Sequence, residues 1–219
     1  RQAKKCDDFE RLVVGVYGCG SIFLESLMGM EGMDDVGTVA YGKKVVAKLA
    51  RFVEALFLTF CEHLNESDVM GVVTDLFDEL KIASKGKVMI LSGLTQTNVF
   101  EEEEDLPLMR RLCNSFWKGS SSTKKLEPPS FVSGISAAFL SLCEMYKVPC
   151  AAFVVPQTTH IRVDIESVAA FEPALSLALN DEKTTRAILK QFKSMKIYRK
   201  TIRSSKLDTE RRSTAHLYM

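Results

Sequence analysis

Several protein classes are excluded by what this 219-residue sequence lacks. No run approaches the roughly 20 consecutive apolar residues that cross a bilayer, so no membrane partner is predicted. The first ten residues are polar and lack the apolar core of a signal peptide. Because Arg1 stands where an initiating methionine is usual, an earlier, removed targeting segment stays open as an alternative. Hydrophobic residues make up 46% and charged residues 26% of the chain, which indicates a globular domain.

The scarcity of grouped metal ligands argues against a metal or cofactor site. The six cysteines are scattered and form no Cys-x-x-Cys pair, and the three histidines lie far apart. Cys61 and His63 are close in sequence, but a tetrahedral site needs three or four converging ligands. Disulfide frameworks belong to smaller secreted chains, so the cysteines favour a reducing compartment. The sequence therefore predicts neither a metal nor a cofactor.

Motifs for nucleotide binding or covalent catalysis are also missing. A dinucleotide-binding turn that starts at Gly18 would need glycine or alanine at the position of Phe23, and no GxxxxGK[ST] loop occurs. Cys19 follows a predicted strand, but Tyr17 and Ser21 stand where a nucleophile elbow has glycines. We therefore predict no catalytic residues. The alternative, a small-molecule α/β enzyme of phosphorylase-like or hydrolase-like type, would need an open cleft around this turn.

What the sequence does contain is an alternation of short apolar strands with amphipathic helices. The strands are predicted at residues 12–17, 36–41, 55–60, 88–91 and 150–155. The helices are predicted at residues 22–30, 65–83, 133–147, 167–179 and 181–198, whereas residues 45–56 fit both a strand and a helix. This alternation predicts an α/β layered sandwich with a largely parallel central sheet flanked by helices. We expect one domain over residues 1–198.

Residues 95–130 interrupt this regular pattern. They contain the acidic run Glu101–Asp105, a short helical pattern at 108–117, a glycine-serine stretch and a pair of prolines. This composition predicts an irregular surface insertion, and the acidic run is expected to be a solvated loop. A protein that uses this loop as an interaction scaffold is a further alternative.

The end of the chain is strongly basic. Residues 193–212 carry eight cations and two acids, a net charge of +6, whereas the whole chain has a net charge of +1. Apolar residues are sparse here, so residues 199–219 are predicted to form a flexible basic tail. Because no aromatic residues are interleaved with the cations between Tyr198 and Arg212, nucleic acid is not predicted as the partner. Leu217 and Tyr218 offer an apolar anchor and an amphipathic ring, and Met219, if it is the natural terminus, adds a carboxylate, so that a pocket can capture all three.

Two stretches of the sequence resemble the proteasome assembly chaperone 1 family. Residues 134–175 carry the ordered series Ala137-Ala138, Leu140-Ser141-Leu142-Cys143, Lys147-Val148-Pro149 and Val168-Ala169-Ala170-Phe171-Glu172-Pro173. Residues 12–37 add an apolar strand, the Phe23-Leu24-Glu25-Ser26 step and Val36-Gly37. The small residues Ala137, Ala138 and Ser141 are expected to let one helix pack closely onto the sheet.

The resemblance implies a non-enzymatic chaperone subunit that forms a heterodimer with a second proteasome assembly chaperone. It implies that the pair binds the outer face of the α-ring of the 20S proteasome, through 20S α-subunits. Leu217, Tyr218 and Met219 match the family's hydrophobic-tyrosine-any-residue docking motif, which inserts into a pocket between α-subunits. Such docking would promote 20S assembly and block premature activator binding. The implied location is the cytoplasm, with the nucleus as a second location.

Overall fold

A computed structural model describes residues 9–84, 86–95, 109–119, 123–157, 165–179 and 182–192. The strands are β1 (Arg11–Gly15), β2 (Asp34–Tyr41), β3 (Lys44–Phe52), β4 (Ala55–Phe60), β5 (Lys87–Thr95), β6 (Arg110–Cys113) and β7 (Cys150–Gln157). The helices are α1 (Cys19–Met28), α2 (Glu66–Glu79), α3 (Gly134–Met145), α4 (Ile165–Ala169), α5 (Glu172–Leu179) and α6 (Glu182–Phe192), with a 3-10 turn at Ile82–Ser84. No helix in these ranges is long and apolar enough to cross a membrane.

The strands form one mixed sheet in the order β2-β3-β4-β1-β5-β7-β6. Its centre is parallel, because β1 pairs with β4 and β5, and β5 pairs with β7, in parallel register. Antiparallel pairs close both sides, with β2-β3 next to β4 and β6 next to β7. This topology confirms the predicted α/β layers and largely parallel central sheet.

Helices cover both faces of the sheet, so the central strands are buried on each side. Side chains that alternate along these strands therefore enter two separate cores. The face covered by α2 and α3 receives Leu12, Val14, Leu58, Ile90, Ala152 and Val154. The face covered by α1, α4, α5 and α6 receives Val13, Phe57, Met89, Leu91, Phe153 and Val155. A strand that is covered on both faces needs apolar side chains at successive positions, which accounts for the continuous apolar runs in the sequence.

The predicted amphipathic helix after β4 is confirmed, with a shorter extent. Its apolar residues at helical spacing are buried against the sheet: Val69, Val72, Val73, Leu76 and Phe77. The helix starts after Asn65, whose extended backbone serves as the N-cap. It ends at Glu79, before the 3-10 turn.

Two local predictions are resolved or corrected by long-range pairing. Residues 45–52, which fit both patterns, form most of β3 because they pair with β2 across a turn in which Gly42 has a φ of 62°. The prediction of a helical segment at 108–117 is wrong. Residues 110–113 form β6, since they pair with β7, and the Leu126 N–H donates to the Arg111 carbonyl at 2.8 Å.

Three helix predictions need smaller corrections. Helix α1 begins at Cys19, three residues before the predicted start, so Ser21 lies inside the first turn. The helix predicted at 167–179 is divided into α4 and α5 around Phe171. In α3, Ala138 is buried and Ala137 half-buried. Ser141, which was expected to face the sheet, is exposed instead.

Residues 193–219 lie outside the described residues, so the division between a domain and a tail stays a prediction.

Candidate partner-binding surfaces

The predicted docking residues Leu217, Tyr218 and Met219 lie outside the described residues, together with the basic stretch at 193–212. The last described element before them is α6. It packs against α5 and α1 and buries Thr185 and Ile188. Helix α6 is therefore anchored on the face of the sheet opposite to α2 and α3.

The turn after β1, where an enzyme would need a cleft, packs the first turn of α1 closely against β5. Cys19, Gly20 and Ser21 are buried, and the Ser21 hydroxyl bonds to the Gly18 N–H at 3.2 Å and carbonyl at 3.0 Å. A Cβ at Gly20 would overlap the carbonyl oxygen of Leu91 on β5. Glycine is needed here for close packing of helix on strand. This close packing fixes the turn at which the alternative, a small-molecule enzyme, would need an open cleft.

The cysteines divide into buried and half-buried groups. Cys19, Cys143 and Cys150 are buried, and burial raises the pKa of the Cys150 thiol well above its usual range. Burial also raises the pKa of Cys113, although Arg111 and Lys125 nearby partly offset it. Thiols of raised pKa are poor nucleophiles at neutral pH. In the described ranges no group of three or more Cys, His, Asp or Glu side chains could hold a metal ion.

One edge of the sheet, β2, is largely exposed. Its pairing with β3 is interrupted by register shifts at Asp35/Gly37 and Val39/Ala40. Exposed apolar side chains also occur on this side of the molecule: Tyr41, Val45 and Met70. This surface can contact another protein, while its bulges discourage continuous strand pairing.

The other edge, β6, is held by a side-chain clamp at its end. The Asn114 amide donates to the Val148 carbonyl at 2.7 Å and accepts from the Cys150 N–H at 2.9 Å. The backbone N–H and hydroxyl of Ser115 both bond to the Glu144 carboxylate, at 3.0 and 2.5 Å. These bonds fix β6 to the end of α3 and to the start of β7.

An apolar groove of about 520 Å³ lies between β6 and α3. Its lining includes Leu112, Leu140 and Met145, and the Met145 side chain is 74% exposed. Tyr146 and Phe131, close by in sequence on either side of α3, are about half exposed. The apolar side chains that line this groove are typical of protein contact surfaces.

The sequence did not point to this β6 surface. Residues 110–113 carry two arginines and show no alternating pattern, so the strand exists only through its pairing with β7. Asn114 offered no signal of its own, since its partners lie more than 30 residues further along the chain. The acidic run Glu101–Asp105, which the sequence did single out, lies outside the described residues.

Comparison with known proteins identifies relatives of the chain. The family model PAC1, described as proteasome assembly chaperone 4, matches residues 62–211. Proteasome assembly chaperone 1 of Dictyostelium discoideum is 22% identical over 208 residues, covering 84% of this chain and 75% of that protein. The human protein of the same name is 34% identical over 70 residues, covering 32% of this chain and 24% of that protein.

Solved structures share the fold at low sequence identity. PbaA of Pyrococcus furiosus, described as an archaeal homolog of proteasome-assembly chaperone, aligns with a TM-score of 0.64 and 14% identity. That alignment covers 97% of this chain and 94% of PbaA. PbaB of the same organism, described as an archaeal proteasome activator, gives a TM-score of 0.60 and 13% identity over 90% of this chain and 96% of PbaB. Since the family model matches more than half of its residues, the chain belongs to the PAC1 family of proteasome assembly chaperones.

Proposed function

We propose that this chain is one subunit of a heterodimeric chaperone that acts on the α-ring of the 20S proteasome. The observation that carries the proposal is membership of the PAC1 family, joined to a fold shared with an archaeal homolog of proteasome-assembly chaperone. The exposed apolar side chains on both sides of the sheet supply surfaces for a second chaperone subunit and for α-subunits. The chaperone acts in the cytoplasm, and in the nucleus as a second location.

The tail supplies a second point of attachment. Leu217, Tyr218 and Met219 end in an apolar anchor, an aromatic ring and a carboxylate, which a pocket with a cation and a hydrophobic wall can bind together. Once the folded body rests on the ring, the tail searches for its pocket at a high effective concentration, so modest contacts add to a large avidity. While the tail occupies the pocket between α-subunits, activators that use the same pocket cannot bind.

Purification from cells tests the proposal at the level of partners. The tag belongs at the N-terminus, because a C-terminal tag would displace the carboxylate of Met219. We expect the bound proteins to include α-subunits and a second assembly chaperone, without a mature activator. Recovery of neither α-subunits nor a second chaperone would contradict the proposal.

Pairing is tested by expression with and without the partner. An obligate pair hides an apolar interface, so the chain alone is expected to self-associate or aggregate, and co-expression with the second chaperone should restore a soluble complex. Size-exclusion chromatography with light scattering distinguishes these states. A monodisperse monomer with a sharp thermal transition would argue against an obligate heterodimer.

A further inference from the structure

A basic groove of about 470 Å³ borders the same β6 edge and continues into the apolar groove beside α3. The two grooves share Leu112, Cys113 and Asn114. The other residues lining the basic groove come from β6 and the two segments that follow it: Arg111, Trp117, Lys118, Gly119, Lys125 and Leu126. Its charged lining residues are three cations, and no acidic side chain lines it in the part of the chain that the structure describes.

The charge of the groove comes from Arg111, Lys118 and Lys125, which line it. The pKa of Cys113, raised overall by burial, is pulled in the opposite direction by Arg111 and Lys125, which places both charges near the groove wall. Lys118 and Lys125 are exposed, so their ammonium groups can turn toward a ligand. The nearest acid along the apolar groove, Glu144, already accepts two hydrogen bonds from Ser115. Among the described residues that line the groove, the charged side chains are therefore all cationic, which gives this surface a positive potential.

Arg111 is incompletely satisfied by the protein. Its Nη1 donates to the Gly119 carbonyl at 3.3 Å, but its Nε is buried and has no acceptor among the described residues. A buried donor without an acceptor is unfavourable. A ligand oxygen that accepts a hydrogen bond from this guanidinium would therefore stabilise the complex. A carboxylate matches the guanidinium best, because its two oxygens accept parallel hydrogen bonds.

The groove walls are already in place without a ligand. The Trp117 indole N–H donates to Gly119 at 3.2 Å, and its ring packs edge-on against Phe153 at 6.5 Å between centroids. The backbone of Arg111 bonds on its outer side to Lys124 at 2.9 Å and Leu126 at 2.8 Å. A groove that is formed in advance loses little entropy when it binds.

We propose that these two grooves together bind an extended acidic peptide segment of a partner protein. The basic groove takes carboxylates of the peptide, and the adjoining apolar groove takes a neighbouring aliphatic side chain. The apolar half at Leu140 and Met145 favours a peptide over a nucleic acid, whose backbone offers no aliphatic group. The site lies on the body of the chain and does not depend on residues 217–219.

Charge-reversal variants of the full chain, alone or in the complex in which it purifies, test this site. The probe is a fluorescein-labelled octapeptide that alternates glutamate with leucine, followed by anisotropy. In Lys118→Glu/Lys125→Glu the affinity should fall about tenfold or more, since two attractive contacts become repulsive. The matched control, Lys43→Glu/Lys44→Glu, carries the same charge change at the opposite edge of the sheet and should bind like the parent.

Two further probes separate the proposed ligand from other occupants. A peptide with glutamine in place of glutamate should bind at least about tenfold more weakly, and the affinity of the acidic peptide should fall with added salt. Met145→Gln should weaken the leucine-containing peptide about threefold, because it removes apolar contact area while leaving the cations in place. The proposal is overturned if the parent chain does not bind the acidic peptide at millimolar concentration, or if both double variants lose affinity equally. Tighter binding of an oligothymidylate of equal charge would assign the groove to nucleic acid instead.

Discussion

The centre of the sheet and its two edges are built from different kinds of contact. Strands β4, β1, β5 and β7 are covered by helices on both faces, and their side chains are almost entirely buried. Strand β2 is mostly exposed and bulged, whereas β6 is short and clamped by polar side chains. PbaA keeps the fold at 14% identity, which indicates that apolar patterning rather than particular residues determines it. Among the described residues, the exposed surface and the grooves beside the sheet lie at its edges.

The two edges also differ from each other. The β2 edge carries Asp34 and Asp35 and has two register shifts, which make it a poor template for another strand. The β6 edge is bordered by a basic and an apolar groove whose walls are fixed by hydrogen bonds. We therefore expect β6 to bind through side chains in grooves, and β2 to contribute exposed surface only.

The largest effect is expected in the centre, at Gly20. Gly20→Ala places a Cβ on the Leu91 carbonyl, which also accepts the Val16 N–H at 2.9 Å, so α1 must move away from β5. The free energy of unfolding should fall by more than about 3 kcal/mol, or the protein should not fold. Gly29→Ala is the control, since its Cβ meets nothing within 4 Å, and should change stability by less than about 1 kcal/mol. Urea denaturation measures both, and equal effects would disprove the packing argument.

An intermediate effect is expected at the β6 clamp. Asn114→Ala leaves the Val148 carbonyl and the Cys150 N–H without their partner, which should cost about 1–3 kcal/mol of unfolding free energy. Asn65→Ala is the control, because the Asn65 side chain makes no capping hydrogen bond and only an exposed contact of 3.3 Å to Asp68. Its unfolding free energy should fall by less than about 1 kcal/mol. Hydrogen exchange of the β6 and β7 amides localises the loss. Unchanged exchange in Asn114→Ala would show that the clamp does not hold this edge.

How far the sequence alone predicts this structure depends on the range of the contacts involved. The strand at 55–60 and the buried face of α2 were predicted correctly, because their apolar spacing is a local property. Strand β6 was missed, since it depends on pairing with β7, about 40 residues further along the chain. The grooves beside β6 were missed for the same reason. Leu217, Tyr218 and Met219 stay a prediction, because they lie outside the described residues.

The cysteines give a chemical comparison of centre and edge. Iodoacetamide should label Cys61 and Cys113 in the native protein, whereas Cys19, Cys143 and Cys150 should react only after unfolding. Because burial raises the pKa of Cys113 above 9.0, its labelling rate should rise about tenfold per pH unit from pH 7 to pH 9. Burial likewise raises the pKa of Cys150, so the stability that its neutral thiol contributes is fully present below the unfolded pKa and is lost as the pH rises through the folded pKa. Mass spectrometry identifies the labelled residues, and native labelling of Cys150 would contradict its burial.

The smallest effect on folding is expected at exposed edge residues. Met145→Gln removes an apolar side chain that is 74% exposed, so stability should change by no more than about 0.5 kcal/mol. A loss of more than about 2 kcal/mol in a thermal melt would show that Met145 belongs to the core. The edge would then not be available for binding.

The central claim is that binding to the proteasome α-ring is carried by a folded body and a separate docking tail. The most direct measurement is the affinity of the purified heterodimer for particles that contain the α-ring, with three forms of the tail. We predict that removal of Leu217, Tyr218 and Met219, or addition of one residue after Met219, weakens binding roughly ten- to hundredfold without changing the thermal melt. The single change Tyr218→Ala should cost about 1–3 kcal/mol of binding free energy, and added salt should weaken the intact form. Equal affinity of the intact, truncated and extended chains would contradict the account.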